Sequence, residues 1–354
     1  MTVAPTITSA EDIADLPCRN VRCISDIHVD IEENRDWLAK LPAHPEDILL
    51  VAGDLSDNLA RARDALRVLK GKYKEVLCVP GNHDLWLNKD WTENDIKDSM
   101  EKLKAFLSMC RDEGVRTTPL VVDGAGGSCV VVPILSWHHQ SWDTEPDITC
   151  WKGIPAVEKC MVDYMRCKWP APLSAMDDSV AAAVDRLNDG GPPLPEEAGT
   201  EFLPIISFSH FVPRLELNPE KRFLFLPTLA KAVGSRFLEK RIRKLQSTMH
   251  VFGHTHFGWD ATLDGTRYVQ AALGYPQEWQ TRRMSMEIGN LYEEPIILWS
   301  SSSGFVPPMR ARWSSYYQKF PRKPSITHAL APYVASAYTR VDGGEICEWP
   351  PKGF

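Results

Sequence analysis

Short, nearly continuous apolar runs recur along the chain, and several of them end in a polar cluster. Val21 to Ile24 is largely apolar and β-favouring, and runs into Ser25-Asp26-Ile27-His28. Ile48 to Ala52 ends at Gly53-Asp54, and Val76 to Val79 ends at Pro80-Gly81-Asn82-His83-Asp84. Apolar runs of this length without alternation suit strands buried on both faces of a sheet. Glu32 to Leu41 fits a short helix between the first two runs, and Leu59, Ala62, Leu66 and Leu69 recur at helical spacing before the third. Strands alternating with helices predict a parallel sheet whose C-terminal ends lie along one edge.

Further on, an amphipathic helix is predicted from Thr92, with Asp95 as an imperfect capping box and Ile96, Met100, Leu103, Leu107 and Cys110 on one face. Leu120 to Val122 and Cys129 to Leu135 read as strands joined by the turn Gly124 to Gly127. Helices are suggested over Val157 to Trp169 and Ser174 to Leu187, then a Pro-rich loop from Gly190 to Gly199. Strand character returns at Phe202 to Phe208, ending in Ser209-His210. Ser235 is placed to cap a helix with Leu238, Ile242 and Leu245 on one face and a solvated basic face opposite. That helix feeds the strand Met249 to Phe252, which ends in Gly253-His254-Thr255-His256. Tyr268 to Leu273 and Pro295 to Trp299 suggest closing antiparallel strands. This organisation predicts a loose leader over 1–18, one large α/β domain over 19–303 with an insertion at about 136–200, and an extension over 304–354 to which no role is assigned.

Composition narrows the class. The 354 residues are 44% hydrophobic and 25% charged, and no apolar run approaches the roughly 20 residues that span a bilayer. The first 15 residues lack a basic segment followed by an apolar core, so the default location is cytoplasmic. Nine cysteines without a Cys-x-x-Cys pair read as reduced and structural. A net charge of −7 argues against a protein that coats nucleic acid, and no membrane partner is expected.

The strand ends carry the candidate chemistry. Asp26 and His28 are two apart, so extended backbone points both side chains to one side, where they can chelate one ion; His254 and His256 repeat that spacing. Gly53 permits close backbone approach beside Asp54, and Asp57 reads as a structural helix cap. Any one of these motifs alone is most often a hydrogen-bonded turn. The segment Ser136 to Trp142 is a packed aromatic loop or a substrate wall, and His138 and His139 are not read as metal ligands. Arg214, Lys221 and Arg222 follow His210, where they could meet an anion, although a solvated charge is the commoner outcome.

In chain order the five strand ends carry Asp-x-His, Gly-Asp, Gly-Asn-His-Asp, a single His and Gly-His-x-His. This ordered set resembles the calcineurin-like metallophosphoesterase superfamily, over roughly residues 21–274. The resemblance implies a four-layered α/β sandwich of two mixed β-sheets flanked by helices, with a sizeable insertion between the third and fourth blocks. It also implies that Asp26, His28 and His256 hold one ion, that Asn82, His210 and His254 hold a second, and that Asp54 bridges them. Mixed carboxylate, imidazole and amide ligation suits Mn, Fe or Zn and is too nitrogen-rich for Ca. Such a pair activates a water for attack on a phosphoester, while the family role of His83, at an imidazole pKa of about 6.5, is to protonate the leaving alkoxide, with Asp84 orienting its ring. The blocks Ser-Asp-Ile-His, Gly-Asp-Leu-Ser-Asp-Asn and Gly-Asn-His-Asp depart from the phosphoprotein phosphatase branch and look closer to cyclic-nucleotide phosphodiesterase-like members. The expected activity is hydrolysis of a small-molecule phosphomonoester or phosphodiester. A catalytically silent metal-binding scaffold and a nuclease are the alternatives; the full ligand set weighs against the first and the acidic charge against the second. Nothing in the sequence specifies an oligomeric state.

Overall fold

Alternating burial along the strands builds two stacked sheets with a core on each side of the second. The computed structural model describes residues 15–87, 96–190 and 203–348. In chain order, the first half contains β1 (Asp15–Pro17), β2 (Asn20–Ile24), α1 (Glu32–Lys40), β3 (His44–Ala52), α2 (Leu59–Lys72), β4 (Tyr73–Val79), α3 (Ser99–Asp112), β5 (Leu120–Asp123) and β6 (Cys129–Pro133). The insertion carries β7 (Trp151–Lys152), α4 (Asp163–Arg166) and α5 (Ser179–Arg186). Then follow β8 (Ile205–Phe208), α6 (Arg236–Lys244), β9 (Met249–Phe252), β10 (Trp259–Leu263), β11 (Thr266–Gln270), α7 (Pro276–Met286), β12 (Ile296–Ser300), β13 (Gly304–Phe305) and α8 (Arg312–Lys319).

Among the described residues, the two large sheets have the orders β13-β12-β2-β3-β4 and β1-β5-β6-β8-β9-β11-β10, and two further sheets are two-stranded. β2, β3 and β4 are parallel, as are β6, β8 and β9, so both sheets send their C-terminal strand ends to functional loops. Leu120, Val122, Cys129, Val131, Ile206, Phe208, Met249 and Val251 share a core with β2, β3 and β4, and α1 and α2 add Leu38, Leu66 and Leu69 to it. Their chain neighbours Val121, Val130, Val132, Ile205 and Phe252 face a second core with Leu238 and Ile242 of α6 and Trp313 and Tyr316 of α8. The period-two switch between cores places helices outside both sheets, which is the expected four-layered sandwich. No helix among the described residues is long and apolar enough to cross a membrane.

Several local expectations are corrected. α3 starts at Ser99, because the Asp98 carboxylate accepts the amides of Met100 and Glu101; Thr92 and Asp95 lie outside the described residues. Asn58, not Asp57, caps α2 by accepting the Arg61 amide, and Asp57 takes Arg166 at 2.8 Å. The helix expected over Val157 to Trp169 shrinks to α4 after a 3₁₀ turn at Val157–Lys159. β11 runs parallel to β9 and antiparallel to β10. β10 itself was legible in Asp264-Gly265, whose positive φ angles of 48° and 87° make the tight hairpin turn. Ser235 precedes α6 without a side-chain cap bond, and the basic face of that helix is not simply solvated: Arg241 pairs with Asp185 and Asp189 of the insertion. Of the leader, residues 1–14 lie outside the described residues, while β1 forms the edge strand beside β5. In the extension, Trp313, Leu330 and Val334 are buried in the second core.

Candidate metal centre

Backbone bonds within each sheet and between the two bring the strand-end loops together. The Asp26 amide donates to Gly53 O, Gly253 N to His210 O and Leu273 N to Ser25 O. Asp26, His28, Asp54, His254 and His256 all have left-handed backbone, with φ between 45° and 76°. Non-glycine residues in that region cost on the order of 1 kcal/mol each, and such strain clusters where side chains must be aimed at a ligand. Close approach demands the neighbouring glycines. A Cβ on Gly53 would come within 2.5 Å of His210 Nδ1, and one on Gly81 within 2.6 Å of the Asp54 nitrogen.

All seven residues expected to hold metal lie in this one cluster. Potential ligand atoms of Asp26, His28 and His256 lie within 4.8 Å of one another, as do those of Asp54, His210 and His254. Asp54 stands between the sets, its Oδ2 3.8 Å from His28 Nε2 and 3.5 Å from His210 Nε2. Asn82 Oδ1 lies 2.9 Å from both His210 Nε2 and His254 Nδ1.

The outward atoms reveal what the inward ones carry. His210 Nδ1 donates to Ala52 O at 2.9 Å and His254 Nε2 to Ala232 O at 3.0 Å, because a carbonyl can only accept. Burial holds both imidazoles below 6.5, His254 at about 3, so each is neutral and its inward nitrogen is a lone pair. Asn82 donates its amide to Asp163 Oδ1 at 2.8 Å, which turns Oδ1 inward. Three acceptors therefore converge at 2.9 Å with no proton among them, an arrangement that a cation satisfies and apolar packing does not.

The other half differs in its protons. His256 Nδ1 donates to Glu278 Oε2 at 2.6 Å, leaving Nε2 facing Asp26 Oδ1 at 3.3 Å and His28 Nε2 at 3.1 Å. Burial disfavours charge on His256, yet the Glu278 and Asp26 carboxylates raise it to about 9, so without a cation it holds a proton there. Asp26 is buried, but the His256 imidazole keeps its carboxyl well below the usual range; burial and the neighbouring Asp26 and Asp84 push Asp54 well above it. A cation between these groups relieves both conflicts.

His83 lies on the rim, 14% exposed, with its Nε2 3.8 Å from Asp54 Oδ2. Its ring centroid is 3.5 Å from Trp86 and 4.5 Å from His28. Burial and the nearby imidazoles of His28 and His256 hold it well below 6.5, in contrast to the expected near-neutral value. Asp84 also departs from expectation. Its Oδ1 accepts the amides of Leu55 and Ser56 and its Oδ2 those of Asp54 and Gly81, so it ties the second and third loops together rather than directing the His83 ring.

Sequence reasoning missed two supporting carboxylates. Glu278 occupies the third position of α7 in Tyr275-Pro276-Gln277-Glu278, where its Oε2 also accepts the Tyr275 amide; Pro followed two residues later by Glu was the available signal. Asp163 comes from the insertion and gave no local signal. Buried to 2%, it accepts from Asn82, from Trp86 Nε1 at 2.6 Å and from His138 Nε2 at 3.1 Å. The Trp/His segment thus packs behind the second ligand set, and His138 supports it through Asp163. Arg214 pairs with Glu216 and Asp264, Lys221 with Asp143 and Asp147, and Arg222 with Glu220, so these cations are engaged in structural ion pairs rather than solvated. A shallow cavity of about 720 Å³ beside Gln140, Asp143 and Asp178 touches none of the clustered residues.

Residues 20–158 match the family model for calcineurin-like phosphoesterases, which covers the first three blocks; the structure joins the last two blocks to them. Over these residues the chain is similar to the calcineurin-like metallophosphoesterase superfamily. It is 28% identical over 275 residues to the [acyl-carrier-protein] phosphodiesterase PptH of Mycobacterium tuberculosis, covering 73% of this chain and 79% of the relative. The crystal structure described as phosphopantetheinyl hydrolase (PptH) from Mycobacterium tuberculosis superposes with a TM-score of 0.60 at 21% identity, over 79% of this chain and 96% of that one, and so shares the fold. The protein is a metal-dependent phosphoric-ester hydrolase.

Proposed function

We propose that the protein is a phosphodiesterase acting on a phosphopantetheine-type ester, with Asp26, His28 and His256 around one cation, Asn82, His210 and His254 around the other, and Asp54 between them. The observation that carries the metal assignment is the convergence of Asn82 Oδ1, His210 Nε2 and His254 Nδ1 as three acceptors whose other polar atoms are already committed. The donor set suits Mn, Fe or Zn. Similarity to the phosphodiesterase PptH over most of the chain supports the diester and the pantetheine-type substrate. Nine free cysteines fit a reducing, cytoplasmic location.

When bound, the cation pair lowers the pKa of a coordinated water and offsets phosphoryl charge. The chain's own residues set direction. Asp54 presents a carboxylate to both ligand sets, Glu278 and Asp163 fix the facing atoms of His256 and Asn82, and His83 lies at the rim to give a proton to the departing oxygen. Burial and neighbouring imidazoles hold His83 below the ordinary imidazole range, and the charge of an anionic ester beside it acts in the opposite direction.

The decisive experiment incubates Mn-, Fe- and Zn-reconstituted protein with a phosphopantetheinylated acyl carrier protein and follows the carrier by mass spectrometry. Loss of one phosphopantetheine with a free serine remaining is the expected result. An intact carrier alongside brisk hydrolysis of bis-p-nitrophenyl phosphate would refute the substrate while leaving the hydrolase.

A further inference from the structure

The first helical turn of α7 places one more polar group at the rim. Tyr275 lies immediately before Pro276, and its ring sits over the first ligand set, with centroids 4.6 Å from His28 and 5.0 Å from His256. Its hydroxyl passes beyond those imidazoles and reaches 3.3 Å from His83 Nε2. We propose that the Tyr275 hydroxyl is a catalytic hydrogen-bond donor to a non-bridging oxygen of the transferring phosphoryl group, acting beside His83. The proposal rests on the reading above that the ester is cleaved at this cluster.

Three features support it. The hydroxyl lies beside His83 Nε2, which itself faces Asp54 Oδ2 at 3.8 Å, so a phosphoryl oxygen held between Asp54 and His83 would also meet Tyr275. At 3.3 Å its contact with His83 is longer than an ordinary hydroxyl hydrogen bond, which leaves the donor free to turn to a better acceptor. The residue is also anchored: its amide donates to Glu278 Oε2 at 2.9 Å, the oxygen that takes His256 Nδ1, and the preceding Gly274 amide donates to Asp26 O at 2.9 Å. The aromatic body is thus registered to two members of the first ligand set, and the hydroxyl arrives prepositioned.

A neutral O–H suits this task. Phosphoryl oxygens gather charge as the ester breaks, and a fixed donor in a partly buried site strengthens its bond at that moment without needing to reorient. Donors of this kind contribute roughly 10²- to 10³-fold to turnover when removed singly. The competing role is packing alone, with the ring holding His28 and His256 apart.

Tyr275→Phe separates these roles, because it keeps the ring and deletes the oxygen. The full chain, reconstituted with Mn, should retain its metal content by elemental analysis and its melting temperature. Its kcat should fall about 10²-fold on diesters with good and with poor leaving groups alike, with KM changed far less. Inorganic phosphate, titrated calorimetrically against the resting protein, should bind about tenfold more weakly, consistent with loss of one hydrogen bond. Turnover and phosphate affinity equal to those of the unaltered protein would overturn the proposal. So would a loss that tracks missing metal, which indicates packing, or a loss confined to poor leaving groups, which places the hydroxyl on the leaving oxygen. An unaltered protein inert toward every phosphoester would instead remove the hydrolase reading on which the proposal stands.

Discussion

The two sheets contribute unlike halves of the centre. The five-stranded sheet supplies Asp26, His28, Asp54, Asn82 and His83 from three consecutive strand ends, whereas the seven-stranded sheet supplies His210, His254 and His256. The first half brings both carboxylates and therefore the negative charge. The second is all imidazole, and its three rings are each oriented from behind by Ala52 O, Ala232 O or Glu278. Charge thus enters through a contiguous βαβ unit, and direction through groups distant in sequence. That division explains why Asp54, set between the ligand groups, is the residue both halves share.

Asp54→Asn attacks that shared point and has the largest expected effect. Both metals should be lost or weakened together and turnover should fall by more than about 10³-fold, since one carboxylate offsets the repulsion of both cations. Elemental analysis alongside turnover checks it; full metal content with impaired turnover would break the idea of a shared bridge. His83→Ala comes next. It should keep both metals and slow diesters with poor leaving groups by about 10²- to 10⁴-fold, with much smaller losses on p-nitrophenyl esters.

Smaller but more discriminating are Glu278→Gln and Asp163→Asn. Groups that orient a ligand typically cost 10- to 100-fold in metal affinity or activity when changed. The first should weaken the cation at Asp26, His28 and His256, and the second the cation at Asn82, His210 and His254. Stepwise chelation of each variant, read by remaining metal, would show whether the halves load independently.

The smallest effect lies away from the chemistry. His250 in β9 is buried between Ser207 Oγ at 2.8 Å and Ser209 Oγ at 3.1 Å, and burial lowers its pKa to about 3. Its folded value is below its unfolded one, so the unfolded chain binds the extra proton. Stability is complete above about 6.5 and is lost as pH falls from there toward 3, by about 2 kcal/mol at pH 5 for this group. Urea melts of chelated protein at pH 7.5 and pH 5 should show that loss, and His250→Gln should flatten this part of the slope.

Much of this was legible in one dimension because it depends on neighbours in the chain. Strand runs that end in Asp-x-His, Gly-Asp, Gly-Asn-His-Asp, a single His and Gly-His-x-His are visible in the chain, and the family resemblance carried by their order named the seven residues that cluster; the extended backbone expected to aim Asp26 and His28 to one side is instead left-handed at both. The errors fell where a nonlocal contact decides. Asp84 looks like the partner of the adjacent His83, yet four amides from two loops claim both its oxygens. Lys221 and Arg214 look available to an anion, yet carboxylates in the insertion and the β10–β11 turn hold them.

Local order in the sequence therefore determined which residue types stand at the strand ends, since strand runs and their terminal motifs need only a few adjacent residues, and the resemblance carried by their order named the ligands. Tertiary structure alone decided which atom of each ring faces inward, because that choice belongs to carbonyls and carboxylates 22 to 158 residues away. It also brought Asp163 out of the insertion to Asn82, 81 residues earlier, and Tyr275 across the first ligand set to His83, 192 residues earlier. Hydrogen-bond direction is a property of pairs, and these pairs exist only once both sheets have stacked.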